Sequence, residues 1–412
     1  LYALSPHHAV EFLMNNPVKG FIVLSEVFLA ATGAEALYAD MGHLGRVSIR
    51  IAWAYVFPML VFNYLGQTAF FLKNGEHKAI FYESAHALLG DVLYIPFLVL
   101  VICAGIIASQ ALISGAFSIV FQAINARIAP LLNIKHTSTE ISTQIYIPAV
   151  NWVLFAGVIF MYLNFKTSEN MAAAYGFAVS MDMVITVTFL IIIYFMKGNI
   201  FYFIGSVFLL FVNLAFFTSN FYKIPHGGYW SVIFALIPIS VMVLYTAGQS
   251  KLYKSMKFTP FKDFILSFEQ LYINNPKIKG TAIFLVKDLK KIPPYVTQTL
   301  FDHGILYEDN VFLSLVKRDE PFGVETFLKG SLAQGLRLVE IRYGYMEVLD
   351  IDKELREIGI KERAIFYGIE DIHTDKFVWK LFKLLKRTTP NFVEFYRFPQ
   401  EKLHGVTVRV EF

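Results

Sequence analysis

The sequence has little of what marks an enzyme or a disulfide-stabilised secreted domain. Its 412 residues include one cysteine, Cys103, so neither an intrachain disulfide nor a zinc site built on paired cysteines is possible. Its C-terminal part contains no glycine-rich phosphate loop. Basic residues alternate with acidic ones and form no block with interleaved aromatics, which argues against a nucleic-acid partner. No enzymatic activity and no cofactor are predicted.

Charge is scarce along the first part of the chain. Residues 18–248 are nearly free of it, although the whole chain is 17% charged and 56% hydrophobic. A bilayer core requires about 20 consecutive apolar residues per helix. Seven stretches of the sequence meet this requirement, and they predict a helical membrane protein with seven spans: 19–40, 49–72, 88–121, 146–164, 170–196, 198–221 and 228–248.

The loops between these spans carry unequal charge. One set, which includes Lys251, Lys254 and Lys257, has more Lys and Arg than the other. Because cytoplasmic loops are enriched in these residues, this set and everything after it are expected in the cytoplasm. The predicted domains are therefore a transmembrane domain over 1–250 and a cytoplasmic domain over 251–412.

The second domain has the pattern of a soluble α/β fold. Short runs rich in β-branched and aromatic residues predict strands at 279–286, 310–316, 336–343, 363–369 and 405–412. Helical apolar spacing predicts helices at 293–303, 351–358 and 376–388. No nucleophile–base pair is recognisable, so this domain is expected to regulate the membrane domain or to form a homodimer.

An ionisable side chain within a membrane span indicates a functional site. Glu35 lies in the first span in a run of small residues, AATGAEA, where a helix can unwind and present its carbonyl groups to a cation. Thr32 is three residues away and shares a face with Glu35 if the segment stays helical. We expect Thr32 to ligate a cation and Glu35 to carry a proton; the alternative for Glu35 is a neutral acid that joins two helices.

Two further spans carry polar groups. Ser114 and Ser118 are four residues apart in the third span and either coordinate an ion or hydrogen-bond to the helix. In the fifth span, Tyr175 follows three alanines and precedes a glycine, which predicts a second break in a helix. Tyr175 is a candidate cation ligand or an ordinary packed aromatic. Asp182 lies mid-span and must face a cavity or a partner.

Several segments together are specific. The membrane part contains SPHHAVEFL (5–13), VFLAATGAEALYADMGHLG (27–45), ASQALISGAFS (108–118), QIYIPAVNW (144–152), AAAYGFAVS (172–180) and KIPHGGYW (223–230). The second part contains RYGYMEVLDI (342–351) and FPQEKLHGVTVRVEF (398–412). Over the whole chain these segments resemble the KUP/HAK/KT family of potassium-uptake transporters, of the bacterial Kup type.

The resemblance implies the inverted-repeat fold of the amino-acid–polyamine–cation superfamily and potassium import by K+/H+ symport across the cell (inner) membrane. It implies that Glu35 is the proton-linked acid, and that Thr32 and Tyr175 are potassium ligands. Family members have twelve spans, so the seven spans here are expected to be the sixth to the twelfth. About the first five helices would then be absent, and this chain alone should not transport.

Two other classes stay open on the sequence. The superfamily fold also serves symporters of small organic solutes, but no cationic residue lies mid-span to bind a substrate carboxylate. A potassium channel is the second alternative, and no TVGYG-type filter occurs. Asp182 departs from the family, which usually has a neutral, threonine-containing stretch at this place, so its role is open.

Overall fold

The computed structural model describes residues 5–30, 33–75, 79–136, 145–287, 289–318, 320, 322–344, 347, 349–390, 392–396 and 398–412, without the side chains of 34–45, Glu169 and Glu394. The chain packs into two units. One comprises residues 1–116 and 152–237, and the other comprises 117–151 and 238–412.

The first unit is helical. Its helices, three of which extend into the second unit, are α1 (Pro6–Asn15), α2 (Pro17–Ala30), α3 (Ala34–Asn74), α4 (Ile80–Asn125), α5 (Pro148–Phe165), α6 (Ser168–Met196), α7 (Ile200–Asn220) and α8 (Tyr229–Ser255). Pro6 occupies the first turn of α1, where its missing N–H has no cost. The Asn199 side chain accepts a hydrogen bond from the Tyr202 N–H and caps α7.

Within the described residues, five helical stretches are long and apolar enough to cross a membrane: Arg46–Asn74, Ile80–Asn125, Pro148–Phe165, Asn170–Met196 and Ile200–Ser255. The last stretch contains two of the predicted spans. The first predicted span, 19–40, extends over α2 and the start of α3. The count of seven spans stays a prediction.

The predicted loop at 41–48 is absent, because α3 continues through these residues. They include no proline, so helical hydrogen bonding can continue. The helix is nevertheless not straight: the Tyr64 hydroxyl reaches the Ala30 carbonyl. A straight helix from Ala34 to Tyr64 would measure about 45 Å, which no tyrosine side chain can span.

α7 and α8 are joined by a tight corner in the motif KIPHGGYW. A short 3₁₀ turn, Phe221–Lys223, leads into a π-helical turn, Ile224–Gly228. Gly227 has a φ of 117°, and a Cβ at Gly228 would lie 2.9 Å from the Lys223 carbonyl oxygen. Both positions therefore require glycine.

The second unit contains a six-stranded sheet, which joins β4 (Ile278–Leu285), β6 (Tyr307–Lys317), β7 (Val324–Ala333), β8 (Leu336–Tyr343), β9 (Glu362–His373) and β10 (Leu403–Glu411). The strand order is β10-β9-β4-β6-β8-β7, and every pairing is parallel except that of β7 with β8. Short two-residue pairs also form: β1 (Lys135–His136) with β2 (Ile145–Tyr146), and β3 (Thr259–Pro260) with β5 (Lys291–Ile292).

Helices cover both faces of the sheet. On one face Phe284 and Phe312 pack with Phe264 and Phe268 of α9 (Phe261–Asn274) and with Phe382 of α12 (Phe377–Thr388). On the other face a second buried cluster joins strand residues to α11 (Ile351–Glu357) and α13 (Phe392–Phe395). α10 (Pro294–Thr297) is one short turn. Two covered faces account for the near-continuous apolar strands.

The predicted strands and two of the predicted helices are confirmed. β8 has the predicted bounds, the bounds of the other four strands differ from the predicted ones by one to four residues, and α11 and α12 lie at the predicted positions. The predicted helix at 293–303 is a short α-helical turn followed by a π-helical turn, Gln298–Asp302. β7 was missed, because this edge strand is mostly exposed and lacks the apolar alternation of a half-buried strand.

Candidate functional site

The first predicted span is interrupted where its small residues gather. α2 ends at Ala30 and α3 begins at Ala34, preceded by Gly33 with a φ of 110°. At such an interruption the last carbonyls of one helix and the first N–H groups of the next have no partners within their helices. The carbonyl end carries partial negative charge and the amide end carries partial positive charge. This arrangement is suited to holding a cation beside an acid.

Two predicted site residues belong to this interruption. Thr32 lies outside the described residues. Glu35 is the second residue of α3, and its side chain also lies outside them. Its backbone position is the first turn of a helix, where a carboxylate is favourable.

Tyr64 contacts the carbonyl end of the interruption. Its hydroxyl donates a hydrogen bond to the carbonyl of Ala30, the last residue of α2. A hydroxyl oxygen is also a potential cation ligand. No local sequence pattern indicates Tyr64, because 34 residues separate it from its partner and only the bend in α3 brings them together.

The small-residue run of α6 packs against this end of α2. A Cβ at Gly176 would lie 3.1 Å from Leu29 Cδ2 and 3.0 Å from Asn220 Oδ1 of α7. The expected break beside Tyr175 is wrong, because α6 is continuous from Ser168 to Met196. Alanine is the strongest helix former, and the adjacent glycine permits close helix contact instead of unwinding.

Tyr175 and Asp182 share one face of α6. Seven residues make almost two full turns, so the two side chains project in nearly the same direction about 10.5 Å apart along the helix axis. Both are exposed, whereas Ala173, Phe177 and Ser180 are buried on the opposite face. Tyr175 directly precedes Gly176 and so lies next to the contact with α2.

Ser114 and Ser118 lie one turn apart on α4, and both are half-buried. Ser114 belongs to the first unit and Ser118 to the second. Their part in ion binding stays a prediction.

An ion pair with one buried member, which the sequence did not reveal, joins α2 to the corner after α7. The Lys223 side chain is 9% exposed, and its ammonium lies 3.0 Å from the Glu26 carboxylate and 3.1 Å from the Ser25 carbonyl oxygen. Ser25 is fully buried. Glu26 could have been singled out from the sequence as a candidate site residue, because it is an acidic residue within the first predicted span, as Glu35 is.

A second polar link joins the corner to α6. The Ser231 hydroxyl, at the start of α8, donates a hydrogen bond of 2.5 Å to the Ala174 carbonyl oxygen. With the Lys223–Glu26 pair and the Gly176 contact, this link holds α2, α6 and the corner together around the carbonyl end of the interruption.

Buried polar groups of the second unit have structural partners. The Tyr295 hydroxyl donates to the Leu285 carbonyl oxygen at 2.5 Å, and burial raises the pKa of Tyr295. The hydroxyls of Tyr343 and Tyr396 lie 2.9 Å apart, and burial raises the pKa of Tyr396 well above its usual value. Both phenols stay neutral at physiological pH and act as packing groups.

His7, His8 and Glu11 of α1 have potential ligand atoms within 4.8 Å of one another. All three are exposed on a helix surface, and Glu11 lies 3.8 Å from His7 and 3.9 Å from His8. Exposed polar groups of this kind are typical of a solvated helix surface.

These observations define an integral membrane protein with an interrupted helix and a C-terminal α/β unit. Residues 1–250 match the family model described as K+ potassium transporter integral membrane domain, and residues 279–412 match that of the K+ potassium transporter C-terminal domain. The chain belongs to the K+ potassium transporter family, as its motifs indicated.

Relatives align along the whole chain. It is 49% identical over 411 residues to a "Probable potassium transport system protein Kup" of Methanosarcina acetivorans. This alignment covers 100% of the present chain and 68% of the relative. It is 50% identical over 409 residues to a "Probable potassium transport system protein Kup 2" of Geobacter sulfurreducens. This alignment covers 99% of the present chain and 67% of the relative. The chain thus spans about two thirds of the length of these relatives.

Proposed function

We propose that this protein takes up potassium ions across a cell membrane and couples the uptake to protons that move in the same direction. The match of both parts of the chain to the potassium transporter family carries this proposal. The interrupted helix supports it, because backbone carbonyls at the end of a helix are suitable ligands for a large, weakly hydrated cation. Transport rather than catalysis is the activity, and the transported ions need no cofactor.

The proposed potassium site lies at the carbonyl end of α2. Thr32 and Tyr175 would supply side-chain oxygens beside the carbonyls, and Ser114 and Ser118 are further candidate ligands. Tyr175 is well placed for this role, because Gly176 packs against Leu29 at the end of α2. Tyr64 holds the Ala30 carbonyl in the described arrangement.

Glu35 is the proposed proton carrier. It follows the break directly, so a cation at the carbonyl end and a charge on Glu35 influence one another over a short distance. Asp182 is the second candidate. It lies on the exposed face of α6, two turns from Tyr175, where a water-filled cavity could reach both.

Loop charges support a cytoplasmic position for residues 251–412, the α/β part of the second unit. The proposed location of the protein is the cell (inner) membrane. The proposed role of this unit is regulation, with homodimer formation through its sheet edges or helices as one mechanism. These assignments rest on charge distribution and on the relatives.

Neither of the two alternatives, a symporter of a small organic solute and a potassium channel, gains support. A solute with a carboxylate would need a free positive partner in the core, and Lys223, a buried cation of the first unit, is already engaged by Glu26 and the Ser25 carbonyl. A channel would need a filter, and the family is one of transporters.

Growth of a bacterium that lacks its own potassium uptake systems tests the proposal. Expression of the full-length gene product should restore growth at limiting potassium, and cells should accumulate rubidium. A variant with Gly33→Pro should express but not restore growth, because proline cannot adopt the positive φ of this residue. Absence of growth and rubidium uptake despite expression in the membrane would contradict the proposal.

A further inference from the structure

α12 is a strongly amphipathic helix, and its broad apolar side has one part that is packed in a core and another that is exposed. One face belongs to the core of the second unit: Phe382 is fully buried, and Trp379 packs against the same core. The other face carries Phe377, Leu381 and Leu384, at spacings of four and three residues, with 74%, 40% and 58% of their surfaces exposed. A helix needs only the first face to fold into the sheet, so the second face requires another explanation.

The inner face of α12 packs on the final turns of α8. A Cβ at Gly248 would overlap the Phe382 ring. The Lys251 ammonium lies 4.7 Å from the centre of the Trp379 ring. Because α8 contains the last predicted span, 228–248, this contact fixes α12 at the point where a membrane-crossing helix leaves the bilayer.

Basic residues border the exposed apolar face. Lys383 and Lys386 are paired with Asp371 and Glu370 of β9. Lys380 and Arg387 are exposed, and the described residues provide neither with an ion pair. On a helical projection these two lie on one side of the Phe377–Leu381–Leu384 stripe.

We propose that α12 lies in the membrane interface, with its exposed apolar stripe inserted at the boundary of headgroups and acyl chains and with Lys380 and Arg387 bound to anionic lipid headgroups. This combination of one apolar face and an adjacent basic edge is the pattern of interfacial helices. Two positive charges that have no ion-pair partner among the described residues favour an anionic lipid surface, and the attachment to α8 brings α12 to it. A second protein copy would cover the apolar stripe but would leave both charges to find partners of their own.

The helix would therefore tie the α/β unit to the lipid. The composition of the leaflet would then influence how tightly this unit is held beside α8. This inference does not depend on which ion is transported or on proton coupling.

Lipid quenching of a fluorescent label tests the proposal in the full-length protein. In a Cys103→Ala background, Leu381→Cys carries a bimane label, and Leu384→Cys gives a second labelled position. The protein is reconstituted in phosphatidylcholine alone or mixed with phosphatidylglycerol, each with a doxyl-labelled lipid as quencher. Leu328→Cys is the matched control, because Leu328 is an exposed leucine on β7 of the same unit.

Labels at 381 and 384 should be quenched several-fold more than the label at 328 when phosphatidylglycerol is present. The double substitution Lys380→Gln and Arg387→Gln should weaken the binding of α12 to the anionic bilayer about thirtyfold. Each basic residue at an anionic surface contributes about a factor of five to the binding constant. Labels at 381 and 384 that stay as accessible to water as the control would overturn the proposal. Labels that are shielded from water but not quenched by lipid would also overturn it and would indicate a protein partner.

Discussion

Lys223 shows at the scale of one residue how the helices around the break are held. Its ammonium is buried against a carboxylate and a carbonyl oxygen, while Glu26 is 66% exposed. Removing one member of a buried pair leaves the other charge without compensation, and the buried member here is the lysine. The two substitutions should therefore have unequal effects.

Lys223→Met should lower the thermal stability of the detergent-solubilised protein less than Glu26→Leu does. Breaking a buried pair by removing one partner costs about 3–5 kcal/mol when the charge left behind is buried, and Glu26→Leu leaves the ammonium with the Ser25 carbonyl alone. Lys223→Met leaves a carboxylate that is not buried among the described residues and that a proton can neutralise. Fluorescence-detected thermal unfolding measures both, with the exposed Lys197→Met as control. The reverse order would show that Lys223 is not held as described.

The carboxylate of Glu340 and its two ion pairs make the stability of the second unit depend on pH. Burial raises the pKa of Glu340, but the hydrogen bonds and charges of Lys329 and Arg342, at 2.5 and 2.6 Å, outweigh burial and hold the pKa below its ordinary value. A lowered carboxyl pKa stabilises the folded state at pH values above the pKa of the unfolded chain. This contribution disappears as pH falls through the folded pKa.

Acidification should therefore lower the stability of the wild-type protein more than it lowers the stability of the Glu340→Gln variant. At neutral pH the variant should be the less stable of the two, and the difference should shrink as the pH falls below about 4, near the ordinary glutamate pKa. Thermal unfolding across pH is the measurement. A difference that is the same at every pH would contradict the assignment of Glu340.

At the scale of helices, close packing decides what the small residues of α6 do. Alanine at position 176 would favour the helix by about 1 kcal/mol on propensity alone. Its Cβ, however, would lie 3.0 Å from Asn220 Oδ1 and 3.1 Å from Leu29 Cδ2. Overpacking of this kind costs about 1–3 kcal/mol, so it outweighs the gain in propensity.

Gly176→Ala should accordingly lower stability and potassium uptake, whereas Gly205→Ala should do neither. Gly205 lies in α7, and no atom lies within 4 Å of a Cβ built there. Rubidium uptake and thermal unfolding of both variants give the comparison. A Gly176→Ala protein as stable and active as wild type would exclude a tight contact between α6 and α2.

Helices and strands could be predicted where a local pattern of apolar residues encodes them. The parallel strands are apolar because both faces of the sheet are covered, and this pattern is visible in the sequence. β7 and the continuity of α6 were not predictable in this way: an exposed edge strand has no apolar alternation, and a run such as AAAYG is compatible with either unwinding or close packing. Only the contact of Gly176 with Leu29 distinguishes the two for α6.

For the whole molecule, the division into a membrane part and an α/β part follows from charge distribution, and the family follows from motifs. The pairing of Lys223 with Glu26 and the contact of Tyr64 with Ala30 join residues that are far apart in sequence, and no local pattern encodes them. The roles of Thr32, Glu35, Ser114, Ser118, Tyr175 and Asp182 stay predictions. Their test is functional.

Proton coupling through Glu35 is the central claim, and one measurement tests it most directly: simultaneous recording of rubidium uptake and internal pH in proteoliposomes that contain the full-length gene product or its Glu35→Gln variant. Glutamine keeps the size and hydrogen bonding of the side chain but cannot titrate. The wild type should acidify the interior as it takes up the ion, and the variant should lose this ion-dependent acidification even where ion binding persists. Wild-type acidification and uptake by Glu35→Gln would contradict the claim and would make Asp182 the leading candidate.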